Sequence, residues 1–331
     1  MFIHINNMNF SLVAPSRARK KIIEKQRMEL MKKAAETKPF LLLDNRVQVN
    51  DTDSEFFSCS SVILTAIVEY VNNRHMLPDI VDSSRQYKWY KNDEKDITFD
   101  YFKHYDEVSV VIPIAKFPVT FYERNAENVG KSDKKSEKFS EYKLINFDMI
   151  TKYICKYFLP SIEVMKQLTC IENLYKIDYN NSLVVFYNEP VDTQTQMETY
   201  KMYLLQVEEL IKQNSGLQVL VNSVDNGFLE YMREKMRVDC VYLDNEMECM
   251  VGLKEPCKVD NKEIFSKKCL AVVMLMSKCK YIVCSSDECS LWTMYYRGNS
   301  TNVYQRLENK WVLPDYRENI TYSKEEDEEI G

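Results

Sequence analysis

Two serines and two acids in a row, Ser285-Ser286-Asp287-Glu288, stand between an apolar run, Tyr281 to Cys284, and a segment with helical spacing, Cys289 to Arg297. A strand that passes through small hydroxyl residues into a helix leaves free backbone N–H groups at the positive end of the helix dipole, which suits a diphosphate. Serine before Asp-Glu is equally an ordinary helix cap, so anion binding and capping stand side by side. Asp287 and Glu288 already complement the dipole and oppose a phosphate unless Mg²⁺ or a basic side chain intervenes. Arg297, Lys254 and the Lys267-Lys268 pair are candidates for that cation, and no spacing selects among them.

Asp192, Asp225 and Asp244 follow other apolar runs. Each can serve as general base toward a hydroxyl acceptor or bind ribose, and each is also an ordinary strand-end residue. The histidines His4, His75 and His104 lie outside this half, and there is no GxSxG, Walker A or GxGxxG pattern. Tyr87, Trp89 and Tyr90 cluster among polar neighbours, a composition that suits stacking on a sugar, with core packing as the competing use. Ten cysteines occur without a CxxC pair, which points to free thiols in a reducing compartment and to no metal site.

Short apolar runs supply the elements that would position these groups: 182–187, 217–223, 240–244 and 281–284, separated by helical segments at 196–213, 226–237 and 263–277. Val-rich strands alternating with helices imply a parallel sheet covered on both faces, with ligands beyond the carboxyl ends of the strands. That rule makes a rim of Tyr187 to Glu189, Ser223 to Asp225, Asp244 and Ser285 to Asp287. Upstream, Phe40 to Asp44 reads as a strand, Cys59 to Asn73 as a helix, and Val108 to Ile114 as an edge strand because of its proline. Segments 146–158 and 162–175 read as helices broken at Pro160, where a domain hinge is expected. Residues 123–138 read as a loop.

The chain has 331 residues, 45% hydrophobic, with net charge −6, so it can bury a large core and lacks a basic nucleic-acid footprint. No apolar run reaches the length of a membrane span, and the first residues make a poor secretory signal, so a cytoplasmic location is expected. Residues 15–36 carry eight Lys/Arg against three Glu and read as a basic amphipathic helix, either packed on the body or presented to a partner. Five acids within 324–329 read as a disordered tail.

Several segments, in order, resemble a glycosyltransferase-like family of large DNA viruses of protists and algae, itself similar to the nodulation and core α-1,6 fucosyltransferases. They are Phe56 to Val62, Leu77 to Ser84 with Trp89 to Lys91, Asp96 to Phe99, Lys156 to Ser161, Phe265 to Lys268, Met276 to Cys284, Ser290 to Trp292 and Tyr296 to Asn299. The resemblance implies a GT-B-like α/β fold of two Rossmann-like domains with parallel sheets, here 39–160 on the acceptor side and 161–314 for a nucleotide sugar. An N-terminal helix (1–38) and an acidic tail (315–331) flank them. It further implies metal-independent, inverting transfer from a donor such as a GDP-sugar to a glycan or protein hydroxyl, with the host cytoplasm as location for a viral chain.

Carried onto this chain, the donor would meet Asn188, Glu189, Ser223, Ser285, Ser286 and Ser290. Asp225 or Asp244 would act as base or hold ribose, and Tyr87 and Trp89 would face the acceptor. The chain departs from the family at three places. Asn188 stands where the family has the arginine that binds the diphosphate, with Glu189 in place of a glycine and Asp192 in place of a lysine. Val224 stands where an aspartate is expected, and a neutral turn has become Ser286-Asp287-Glu288. The first and third remove positive charge or add negative charge, so the alternative expectation is an inactive relative that binds a protein, through helix 15–36 or an aromatic surface.

Overall fold

The computed structural model describes residues 39–51, 54–91, 95–113, 119–120, 139–189, 195–243 and 262–314. The expected helix 15–36, the loop 123–138, the acidic tail, Asp192, Asp244 and Lys254 lie outside them.

The chain first forms a small sheet. Strand β1 (Phe40–Leu42) pairs antiparallel with β2 (Arg46–Val49), which pairs in parallel with β3 (Ile80–Asp82). Between β2 and β3 runs α1 (Phe56–Arg74), which ends at His75 in the left-handed region. Phe56, the first residue of α1, is the hub of an aromatic cluster. Its ring lies 4.9 Å from Tyr87, 5.7 Å from Tyr90 and 4.9 Å from Tyr101.

Residues 108–113, expected as part of an edge strand, form none. Val111 is exposed and Ile112 buried, and the Val108 carbonyl accepts from Lys156 Nζ instead of from a strand. The short helix α2 (Thr98–Tyr101) precedes a bridge between Phe102 and Pro160. Helices α3 (Phe147–Tyr157) and α4 (Ile162–Tyr175) then appear where periodicity places them, with Asn146 and Ser161 as their capping side chains. Around Pro160 the chain is fastened to 101–103, since Lys103 N–H donates to Leu159 O at 2.7 Å and Ser161 N–H to Tyr101 O at 2.8 Å.

The second half alternates as its sequence suggests: β4 (Ser182–Tyr187), α5 (Gln196–Gln213), β5 (Gln218–Ser223), α6 (Asn226–Lys235), β6 (Cys240–Tyr242), α7 (Lys262–Lys278), β7 (Tyr281–Ser285) and α8 (Glu288–Arg297). Two further strands, β8 (Val303–Leu307) and β9 (Lys310–Val312), complete a sheet of order β6-β5-β4-β7-β8-β9. The strands are parallel except for β9, which turns back at Glu308 and Asn309, both in the left-handed region.

Alternate residues along the strands face opposite layers. Leu183, Val185, Tyr187, Val219, Val221 and Val283 meet α5 and α6. Val184, Phe186, Leu220, Ile282 and Cys284 meet the other layer, whose core runs without a break into α1, α3 and the aromatic cluster. Helix α7 is apolar at every position from Cys269 to Met276, and all of these are buried except the half-buried Met274, as expected of a helix enclosed by other elements.

Trp292 of α8 is the largest fully buried side chain and joins the two halves of the chain. Its ring lies 6.0 Å from Phe57 and 4.9 Å from Phe158, and its Nε1–H donates to Ser61 Oγ at 2.9 Å. Trp292→Ala should therefore cost about 3–5 kcal/mol in urea unfolding. Trp292→Phe, which keeps most of the volume and loses the N–H bond, should cost about 1–2 kcal/mol.

Candidate functional site

In a sheet of this order the connections from β4 and β7 leave toward opposite layers, α5 on one face and α8 on the other. Beyond their carboxyl ends is the crevice where such folds place ligands. Among the described residues the space there is small. Glu55, Phe56, Phe57, Tyr90, Asn188, Cys269 and Cys289 line a cavity of about 20 Å³, room for a single water.

A wider depression of about 390 Å³, lined by Lys278, Lys280, Arg297 and Asn299 among others, lies at the amino ends of β7 and β8, the wrong edge of the sheet for a donor. Arg297 belongs there, not at the crevice. Its guanidinium donates to the carbonyls of Ser277, Cys279, Lys280 and Thr301, which ties the end of α7 to the end of α8.

At the start of α8 the anion is the chain's own. Asp287 Oδ1 accepts from Ser290 N–H at 2.7 Å, and Oδ2 accepts from Ser285 Oγ at 2.7 Å. Ser285 Oγ in turn accepts from Asn188 N–H at 3.1 Å, so this hydroxyl links the end of β4 to the helix cap. Ser286 Oγ donates to Arg306 O at 2.7 Å and accepts from Gln305 Nε2 at 2.9 Å. Next to them Glu288 accepts from Ser61 Oγ at 2.7 Å. Burial raises the Asp287 carboxyl to about 7, with Glu55 adding to the rise and the bonds from Ser285 and Ser290 opposing it.

At the end of β5, Ser223 Oγ donates to Tyr187 O at 2.8 Å and accepts from Asp225 N–H at 3.0 Å. Asp225 Oδ1 caps α6 through Gly227 and Phe228, while Oδ2 takes the Tyr200 hydroxyl and Gln196 Nε2. A carboxylate holding four donors has little capacity left to take a proton from a substrate hydroxyl. Glu189 is held by Tyr203 O–H at 2.8 Å and lies 2.9 Å from Arg306 Nε.

Tyr87 sits in the left-handed region, fully buried, with its hydroxyl 2.9 Å from Ser60 Oγ, so it presents nothing to an acceptor. Trp89 is half-buried against the same core. Asn188, Glu189, Ser285, Ser286 and Ser290 do converge at the crevice, whereas Ser223 and Asp225 belong to the end of β5, and Tyr87 and Trp89 belong to the aromatic cluster.

Glu55, Tyr142, Tyr203 and Arg306 also shape this end of the sheet, and sequence pattern did not single them out. Tyr142 O–H lies 3.4 Å from Ser285 O and its N–H donates to Gln305 Oε1 at 2.7 Å, contacts that only the folded chain reveals. Among the described residues no group of His, Cys, Asp and Glu could hold a metal ion, and no helix is long and apolar enough to cross a membrane.

No family model matches this chain, and no curated protein matches it. Among solved structures, a mutant of Arabidopsis thaliana FUT1 in complex with GDP matches with 15% identity and a TM-score of 0.33 over 51% of this chain. The match spans 37% of that protein's length.

Asp287 gives the site a pH signature. Its folded value near 7 lies above the ordinary 3.8, so the folded chain binds the proton more tightly, and the carboxyl's contribution to stability is complete below about pH 4 and lost as pH rises through about 7. Asp287→Asn keeps an acceptor for Ser290 N–H and removes the titration. The fall in unfolding midpoint between about pH 5 and about pH 8 should be smaller in Asp287→Asn than in the unsubstituted protein, measured by calorimetry at constant ionic strength.

Proposed function

We propose that this chain is a glycosyltransferase-like protein whose nucleotide-sugar crevice is closed from within, and that it acts by binding rather than by sugar transfer. The observation that carries the reading is the Asp287 carboxylate seated on the first turn of α8, where a donor phosphate would need those same N–H and hydroxyl groups. The ordered segments that resemble the fucosyltransferase-like family support the ancestry, as does the doubly wound strand order.

Energetics support the loss. Asn188 in place of an arginine removes a forked pair of charge-assisted bonds, each worth about 1.5–3 kcal/mol, which amounts to about a hundredfold or more in donor affinity. Glu55, Asp287 and Glu288 add negative charge beside the same crevice, and the cavity of about 20 Å³ that the described residues line there is far smaller than a nucleotide. On this reading the protein meets a partner through surfaces away from the crevice, and the basic segment 15–36 is the candidate.

Thermal unfolding of the full chain against GDP, UDP and a panel of nucleotide sugars at millimolar concentration, with and without Mg²⁺, tests the proposal. The expected result is no change in midpoint. A saturable rise of several degrees with one nucleotide, as a ligand at about 100 times its Kd produces, would instead establish an active donor site with unusual phosphate contacts.

A further inference from the structure

The broad depression at the amino ends of β7 and β8, about 390 Å³ in volume, is walled by Lys278, Lys280 and Arg297, and among the described residues no acid lines it. Arg297 brings a charge that no carboxylate there matches. Its four bonds from Nη1 and Nη2 end on carbonyls, which carry only partial charge, and Nε is buried without an acceptor. Lys280 is exposed, its ammonium 5.4 Å from the centre of the Tyr281 ring and in no ion pair among the described residues. Lys278 pairs with Glu172 at 3.0 Å, so one acid at the margin stands against three cations. Asn180 and Asn302 add side-chain amides that make no hydrogen bond among the described residues and are free to donate.

The last described residues lie next to this depression. Strand β9 runs antiparallel to β8, with Val312 opposite Gln305, and so returns the chain to the amino end of β8. There Leu313 and Pro314 line a small cavity with Ser300 and Val303, each next in sequence to an asparagine of the depression, Asn299 and Asn302. Residues 325–329 are five consecutive acids, and the ten residues between Pro314 and Glu325 span up to roughly 33 Å when extended, ample for a site that begins beside their root. We infer that the acids 325–329 dock in this depression as an internal ligand for Lys278, Lys280 and Arg297, and that the depression is a site for acidic peptides. A single carboxylate at an exposed lysine contributes little, whereas a run of five facing three cations, one of them half-buried, makes the contact selective. Tethering at Pro314 favours this site over the eight Lys/Arg of 15–36, because the short connection gives the tail a local concentration on the order of millimolar there. Residues 15–36 enter the fold at β1, in the other half of the chain. A partner with an acidic segment would have to displace the tail.

Zero-length carbodiimide cross-linking of the full chain, read by peptide mass spectrometry, tests the contact. Amide links should join residues 325–329 to Lys278 or Lys280 within one chain, at a yield independent of protein concentration. They should disappear in 1 M NaCl, where the screening length is about 3 Å. Links from those acids mainly to lysines of 15–36, or only between two chains, overturn the inference, as does an even spread over exposed lysines. Cleavage within 325–329 by a glutamate-specific protease gives an independent reading. It should be at least about threefold faster in the double variant Lys278→Gln, Lys280→Glu than in the unsubstituted chain, because cleavage follows the undocked fraction. Equal rates overturn the inference. Should the double variant fail to fold, Lys280→Gln, at an exposed position outside the Glu172 pair, takes its place, and a cleavage rate unchanged there overturns the inference as well.

Discussion

A parallel sheet has to lose water from both faces at once, and the arrangement of this chain follows from how that is done. One face is covered locally, by α5 and α6, which the chain lays down between the strands they protect. The other face is covered by α7 and α8, and those helices are themselves too apolar to meet water. Leu270, Val273 and Leu275 of α7 and Trp292 of α8 are all fully buried. The N-terminal half supplies the second cover, so Phe56, Phe57 and Phe158 pack into the same core as Val184 and Ile282. Separating the halves would expose α7 and α8, and the bonds at Leu159 and Ser161 fasten the segment around Pro160 that periodicity alone marks as a hinge.

That packing determines what remains of the crevice. Asn188, Cys269 and Cys289 face α1 and its aromatic rings, so Phe56, Phe57 and Tyr90 line the small cavity left beside them. Polar groups at the rim, buried or half-buried, pair among themselves. Ser285, Ser286, Ser223 and Asp225 each bond to backbone or side chains of the next element, the usual fate of buried polar atoms. Hydroxyls and carboxylates that look like ligand contacts along the sequence become the fastening of one strand end to the next.

The sequence made the repeating part of the fold legible. Runs such as Ser182 to Tyr187 can be buried on both sides only in a central strand, and Ser161, Asn146 and Asp225 announce the helices they cap. It also made the crevice legible, because β4 and β7 end in polar residues after apolar runs. Strands β8 and β9 escaped because Val303 to Leu307 includes Gln305 and Arg306, polar residues that are buried only through long-range partners. At Tyr87 the sequence left sugar stacking and core packing both open, and the buried ring, on a residue in the left-handed region, takes the second. The pairing of Glu189 with Arg306, more than a hundred residues later, depends on the sheet order and was not visible along the sequence.

The two carboxylates nearest the crevice show two different ways of hiding a charge. Glu189 lies 2.9 Å from the Arg306 guanidinium, and such a pairing offsets much of the desolvation cost as long as both partners stay in place. Asp287 has no cation among its described hydrogen-bonding partners, and burial with Glu55 near it favours the proton, so near neutral pH it divides its time between acid and carboxylate. The helix dipole favours the charged form and desolvation opposes it, and a value near 7 places desolvation ahead. Asp287 thus meets its burial by favouring the proton, and Glu189 by lying beside a cation.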